Sequence, residues 1–194
     1  MDTVSRMRKR VLDAAVDCLL IGGFATGRLH SAIAQRAKLS RPTVYKYVGD
    51  QEAILDAVLQ RELAIFLGEL QAVLDRAFPV GGQLADVIVF VVWHAREHRL
   101  LQAALRQVPE RVLPWFTTHA HEIIAQLEPM VTPYVEDYLG PADIPPRVLI
   151  DALSRIALSL VFTTGLVELD TPDKLRDYLA TTARALGAFP VATP

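Results

Sequence analysis

At 194 residues, 52% of them hydrophobic and 22% charged, the chain can bury a sizeable core as one domain or as a small domain joined to a larger one. Its single cysteine, Cys18, excludes an internal disulfide framework; it sits in the apolar helical pattern AAVDCLL, which reads as packing in a reducing compartment. The net charge of −2 is uninformative as a sum but not as a distribution: residues 1–50 carry nine Lys or Arg against four acids, and the remainder is net acidic.

Residues 5–21 place Val11, Leu12, Ala15 and Leu19 on one stripe, which predicts a first helix ended by Gly22-Gly23, with Phe24 as a core plug and basic first turns. Arg28 to Ala37, starting near Thr26 or Gly27, repeats the pattern through Leu29, Ile33 and Ala37. After a short Lys38-Leu39 turn a third helix spans 41–48, its start marked by Ser40 as a cap and Pro42 in the first turn. Two short helices crossed at a tight turn make a helix-turn-helix. Val44 and Val48 face inward in this reading, and Arg41, Thr43, Lys46 and Tyr47 offer a guanidinium, a hydroxyl, an ammonium and a phenol to a major groove and its phosphates. The same geometry also occurs in proteins that touch no nucleic acid, and Tyr45 or Tyr47 alone would suit packing equally well.

Gly49-Asp50 interrupts the chain before a fourth helix running from Glu52 to about Phe78, with Asp50 and Glu52 at the positive end of its dipole. Its length exceeds what the small module needs, so it is expected to link two modules. Pro79 and Gly81-Gly82 break the chain; helices are predicted at 83–97 and 98–107. Residues 110–139 form a seventh element that Pro114, Pro129 and Pro133 should kink or break at least once. GPADIPP then acts as a linker, an eighth helix runs from Pro146 to about Gly165 and a ninth from Pro172 to about Leu186, before a frayed FPVATP tail. The apolar windows at 84–93 and 149–166 are too short or too interrupted by charge to span a membrane, and the N-terminus lacks a signal-peptide pattern, so a soluble cytoplasmic protein is expected.

Ile33-Ala34, Leu39-Ser40, Thr43-Val44-Tyr45, Tyr47-Val48 and the following Glu52, Ile54 and Leu55 resemble the start of the tetracycline-repressor (TetR) family of bacterial transcription regulators. The motif covers about the first 60 residues, and the later helices match by number, order and length. The resemblance implies an all-α fold of about nine helices: a three-helix DNA-binding domain, 1–50, and a ligand-binding and dimerisation domain, 51–194. It implies a homodimeric repressor that binds double-stranded DNA at a palindromic operator and is released by a small-molecule effector, without cofactor or metal.

Carried onto this sequence, Arg41, Pro42, Thr43 and Lys46 look like base-facing positions, Arg41 being suited to guanine and Pro42 to a thymine methyl. Ser40, Tyr45 and Tyr47 look like phosphate-facing positions, joined by Arg28, His30, Ser31 and Gln51. Thr43 has the alternative role of a first-turn contact. Three departures stand out: Lys38 replaces the usual turn glycine, Gln51 the usual phosphate-holding lysine, and the loop 25–28 is one residue longer.

In the body, Phe90, Trp93, Trp115, Phe116, Met130, Tyr134 and Phe162, with His94, His119 or Thr163 as polar handles, form a candidate pocket for a largely apolar effector. Leu149, Leu153, Ile156 and Leu160 on the eighth helix, and Leu175, Leu179, Thr182 and Leu186 on the ninth, form candidate dimer stripes, part of which core packing would also explain. An enzyme is disfavoured because Cys18 has no adjacent base in the sequence, and the His94, Glu97, His98 spacing specifies no reaction. The remaining alternative is a helical ligand-binding or protein-interaction module that does not bind DNA.

Overall fold

The computed structural model describes residues 3–24, 27–77, 84–140 and 144–187, and these contain helix but no strand. The ten helices are α1 (Thr3–Gly22), α2 (Leu29–Ala37), α3 (Arg41–Val48), α4 (Gln51–Ala77), α5 (Leu84–Glu97), α6 (Arg99–Gln107), α7 (Pro109–Phe116), α8 (Ala120–Leu139), α9 (Pro146–Phe162) and α10 (Pro172–Gly187). Expectations concerning Thr26, Phe78, Pro79, Gly81-Gly82, 141–143 and the tail fall outside the described residues.

The count exceeds nine because the expected seventh element is two helices. Pro114 lies in the last turn of α7, and Thr117 leaves helical geometry at φ −125° and ψ −89°. The Thr117 hydroxyl donates to the Leu113 carbonyl at 2.8 Å, offering the backbone an alternative to continued helix. Pro129 and Pro133 stay inside α8, where each removes one backbone donor without ending the helix. The eighth predicted helix ends at Phe162 rather than Gly165, its final turn closed by the Thr163 N–H on the Ser159 carbonyl.

The chain forms two compact units. The first comprises residues 1–68 and 98–119. Its core joins Val11, Ala15 and Leu19 of α1 to Leu29 and Ile33 of α2, Val44 and Val48 of α3, Ile54 and Val58 of α4, and Leu100, Ala103 and Ala104 of α6, with Val108 closing one end. Phe24, just beyond α1, is buried in it as expected for a plug. Burial of this apolar surface is what orients α2 and α3.

The second unit comprises 69–97 and 120–194. Ile88, Val89 and Val92 of α5 meet Ala157 of α9 and Leu175 of α10, with Leu153, Leu160 and Leu179 packed around them. Arg96 closes this unit from inside: its guanidinium donates to the carbonyls of Leu169 and, at 3.2 Å, Leu160, and lies 5.5 Å from the Trp93 ring centroid. The end of α9 thereby gains the donors that helix C-termini lack.

Candidate nucleic-acid interface

The turn between α2 and α3 is set by a backbone motif. Leu39 N–H donates to the Ala34 carbonyl at 2.9 Å and Lys38 N–H to Gln35 at 3.2 Å, the bond pair of a Schellman cap. Lys38 sits at φ 52°, ψ 50°, so the left-handed backbone that favours glycine is kept with a lysine in place. Leu39 is half-buried against the core.

Ser40 then caps α3. It is extended, at φ −77° and ψ 152°, and its Oγ accepts the Thr43 N–H at 3.2 Å and lies 2.7 Å from Thr43 Oγ1. The Thr43 hydroxyl is thus engaged in the first turn, the alternative role foreseen for it, and Pro42 occupies the first turn. Because Val44 and Val48 are buried, the helix presents Arg41, Pro42, Tyr45 and Lys46 to solvent. These positions, i, i+1, i+4 and i+5, form one face with two cations and a phenol. Tyr47 is half-buried against the core, with Lys46 Nζ 5.9 Å from its ring centroid.

The other sequence candidates fall at different depths. Arg28 is the exposed residue before α2, Ser31 is half-buried in its first turn, and Gln51 is the half-buried first residue of α4. Asp50 caps α4, its Oδ1 accepting the Ala53 N–H at 2.9 Å. His30 lies beneath the surface, only 8% exposed. Its Nε2 is 2.9 Å from the Gly49 carbonyl, which can only accept, so Nε2 carries the proton. The opposite partner is Tyr45: the two rings stack with centroids 4.1 Å apart and planes 10° from parallel. The structure brings Arg41, Pro42, Tyr45 and Lys46 onto one exposed face and sets His30 behind it. Gly49 is the functional neighbour that the sequence does not reveal, since its contribution is a carbonyl.

Behind these helices, α6 is tied to the unit at both ends. His98 caps it, Nδ1 accepting the Leu101 N–H at 3.1 Å while Nε2 points at Glu62, 3.1 Å away. At its far end Gln107 Oε1 accepts the Phe24 N–H at 3.0 Å. Arg61 on α4 reaches Asp13 on α1 at 2.6 Å. Burial pushes the Asp13 carboxyl up, but the Lys9 hydrogen bond and the Arg61 guanidinium outweigh it and hold the group below its ordinary range. Burial also pushes the Cys18 thiol above its ordinary range.

The effector candidates divide between the units. Trp115, Phe116 and His119 belong to the first, and Phe90, Trp93, His94, Met130, Tyr134, Phe162 and Thr163 to the second. Within the second, His94 Nδ1 lies 3.1 Å from Glu69, and Tyr134 shares a polar cluster with Gln71 and Asp75. The hydrogen bond to Asp75 raises the Tyr134 hydroxyl and lowers the carboxyl in turn. Thr163 Oγ1 is spent on the Ser159 carbonyl at 2.6 Å. A groove of about 100 Å³ between α8 and α9, lined by His121, Ile124, Ala125, Glu128, Arg147, Ile150 and Asp151, includes none of the ten candidates. Among the described residues no group of three or more His, Cys, Asp or Glu is placed to hold a metal, and no helix is long and apolar enough to cross a membrane.

Of the candidate dimer residues, Leu175 is fully buried in the core of the second unit, and Leu153, Leu160 and Leu179, half-buried, pack against that core. Leu149 and Thr182 are half-buried, and the Leu186 side chain lies outside those described. Ile156 is 44% exposed, and on the same face of α9 so are Val148, at 59%, and Ala152. Of these three only Ile156 is among the sequence candidates; the 148, 152, 156 spacing is readable once the other face is assigned to α5.

No protein-family model and no curated protein matches the chain. Solved structures do. A putative TetR-family transcriptional regulator from Mesorhizobium loti MAFF303099 superposes with a TM-score of 0.61 at 16% identity, covering 98% of this chain and 100% of that one. The TetR-family repressor AlkX from Dietzia sp. strain DQ12-45-1b, implicated in biodegradation of n-alkanes, gives 0.59 at 20% identity over 92% and 94%. The fatty acid degradation regulator FadR from Bacillus halodurans gives 0.51 at 16% over 94% and 95%. The all-α fold is that of TetR-family transcriptional regulators.

Proposed function

We propose that the chain is a sequence-specific DNA-binding transcription regulator, a homodimeric repressor whose two α3 helices read the halves of a palindromic operator. The observation that carries this reading is the exposed face of α3, where Arg41, Pro42, Tyr45 and Lys46 stand together on a helix capped by Ser40 and backed by Val44 and Val48. Residues 1–50 do the reading in this proposal, and 51–194 bind the effector and the second subunit. Arg41 and Lys46 face bases, with Ser40, Tyr47, Arg28, Ser31 and Gln51 toward the backbone. The exposed α9 face at Val148, Ala152 and Ile156 supplies the dimer contact, continued by α10.

Release follows if an effector prefers the conformer whose α3 helices are wrongly spaced; a ligand that binds both conformers equally shifts nothing. Phe90, Trp93, Met130 and Phe162 favour a largely apolar effector. Structural relatives named for n-alkane and fatty-acid degradation make long-chain acids and hydrocarbons the first compounds to screen.

Selection of bound genomic fragments, followed by footprinting, tests the reading. A protected palindrome whose affinity falls steeply with salt is the expected result. A folded, ligand-free sample that retains no fragment would leave the non-DNA-binding module as the better description.

A further inference from the structure

His30, a buried histidine, stacks on Tyr45 of the exposed α3 face. Tyr45 is 49% exposed and stands in the middle of the α3 face, one turn beyond Arg41 and next to Lys46. A tyrosine at such a position ordinarily samples several rotamers and must be ordered on binding. Here one face of its ring lies flat on the imidazole, centroids 4.1 Å apart and planes 10° from parallel. The imidazole is held in turn: the residue is only 8% exposed, and its Nε2–H is bonded to the Gly49 carbonyl at 2.9 Å. Gly49 is itself fixed: it closes α3 through its N–H on the Tyr45 carbonyl at 2.9 Å. The four groups form a closed circuit from Tyr45 ring to His30 ring, to Gly49 carbonyl, to Gly49 N–H and back to the Tyr45 backbone.

We infer that His30 is a positioning residue for DNA recognition, a platform that presets the Tyr45 ring so that its hydroxyl meets the sugar-phosphate backbone without further ordering. The inference rests on the DNA-binding reading above. A histidine suits the role because it combines a flat aromatic face with a directional donor at its edge. Phenylalanine supplies only the face and glutamine only the donor. The platform acts through Tyr45 alone, so its effect disappears when Tyr45 has no ring.

The test is a double-mutant cycle on full-length protein, with affinity measured for the fragment that the wild type selects from genomic DNA. His30→Gln is expected to weaken binding about three- to tenfold, the ordering of one side chain. His30→Phe is expected to recover most of that loss, and in a Tyr45→Ala background His30→Gln is expected to change nothing. An undiminished effect of His30→Gln in the Tyr45→Ala background overturns the inference, because the loss would then come from general destabilisation. So does His30→Phe binding as weakly as His30→Gln.

The wild type gives a second readout that needs no altered protein at position 30. In ring-labelled tyrosine spectra, Tyr45, identified by loss of its signal in Tyr45→Ala, should show the upfield ring-current displacement of a stacked ring. An undisplaced signal overturns the platform. Wild-type protein that binds no fragment removes both the DNA-binding reading and this inference, whereas wild type and His30→Gln binding equally removes the inference alone.

Discussion

The N–H of Leu39 donates to the carbonyl of Ala34 at 2.9 Å, and this bond obliges the intervening Lys38 to adopt the left-handed conformation. The Cβ of a non-glycine residue crowds its own carbonyl in that region, at a cost of about 1–2 kcal/mol. Lys38→Gly should therefore stabilise the protein by about 1 kcal/mol, less the extra freedom of an unfolded glycine. Lys38→Ala should not, since it keeps the Cβ. Urea midpoints of the two variants decide the matter, and equal midpoints would show that the turn carries no strain.

At Gly49 the argument runs the other way. Its φ is 78°, and a Cβ added there would lie only 2.9 Å from that of Ala53, so any side chain is costly. Gly49→Ala is expected to lose about 1–3 kcal/mol. Gly22, where an added Cβ would meet nothing within 4 Å, is the control; there alanine should be neutral or stabilising by up to about 1 kcal/mol. Thermal unfolding compares the pair directly.

Arg96 is the side chain whose loss should harm the second unit most relative to its size. Arg96→Ala strands the Leu160 and Leu169 carbonyls and uncovers Trp93, for an expected loss of about 2–3 kcal/mol. Lysine restores the charge but not the fork, so Arg96→Lys should recover only part of it. Trp93 emission during denaturation follows both, and a silent Arg96→Ala would mean that water replaces the guanidinium without penalty.

Acid should remove a contribution from Asp13. Its folded pKa lies below the ordinary value, so the stabilisation is present above the unfolded pKa near 3.8 and disappears as pH falls through the lower folded one. Asp13→Asn should accordingly flatten the fall in stability below pH 4 while lowering stability at neutral pH. The side chain is 43% exposed, so solvent screens the pair and the effect is small. Parallel stability curves for wild type and variant would assign the acid loss elsewhere.

Two positions on the last helices separate packing from assembly. Leu175→Ala, at a fully buried site, should cost about 2–5 kcal/mol. Ile156→Glu, on the exposed face of α9, should leave the subunit folded and shift it from dimer to monomer in sedimentation equilibrium. A monomeric wild type, or a dimer indifferent to Ile156→Glu, would move the association surface to another face.

The short helices α2 and α3 were legible because their signals are local. Ser40 and Pro42 mark a start, and Val44 and Val48 mark an inner side, within nine residues of sequence. Lys38 illustrates the limit, since a left-handed backbone and a relaxed one were equally compatible with the letters. His30 goes further: its partners are a carbonyl 19 residues away and the face of a ring, and neither leaves a trace in composition.

The apolar stripes of α9 and α10 were visible for the same reason as the short helices. Periodicity reveals a face that must be covered, not whether the cover is α5 of the same subunit or a second copy. Three prolines foretold a break between 110 and 139, but the break fell after Pro114, beside Thr117, while Pro129 and Pro133 were absorbed by α8.

The Gln107 carbonyl oxygen that receives the Phe24 N–H lies 83 residues along the chain from its donor. A ribosome therefore delivers α1, α2 and α3 long before it delivers Leu100, Ala103, Ala104 and Val108, the residues that close their core. Until α6 emerges the nascent α1, α2 and α3 carry an uncovered apolar side, and loop closure over that distance must precede the contacts that reward it. Maturation of the helix-turn-helix unit is thus timed by synthesis of the chain's middle rather than of its beginning.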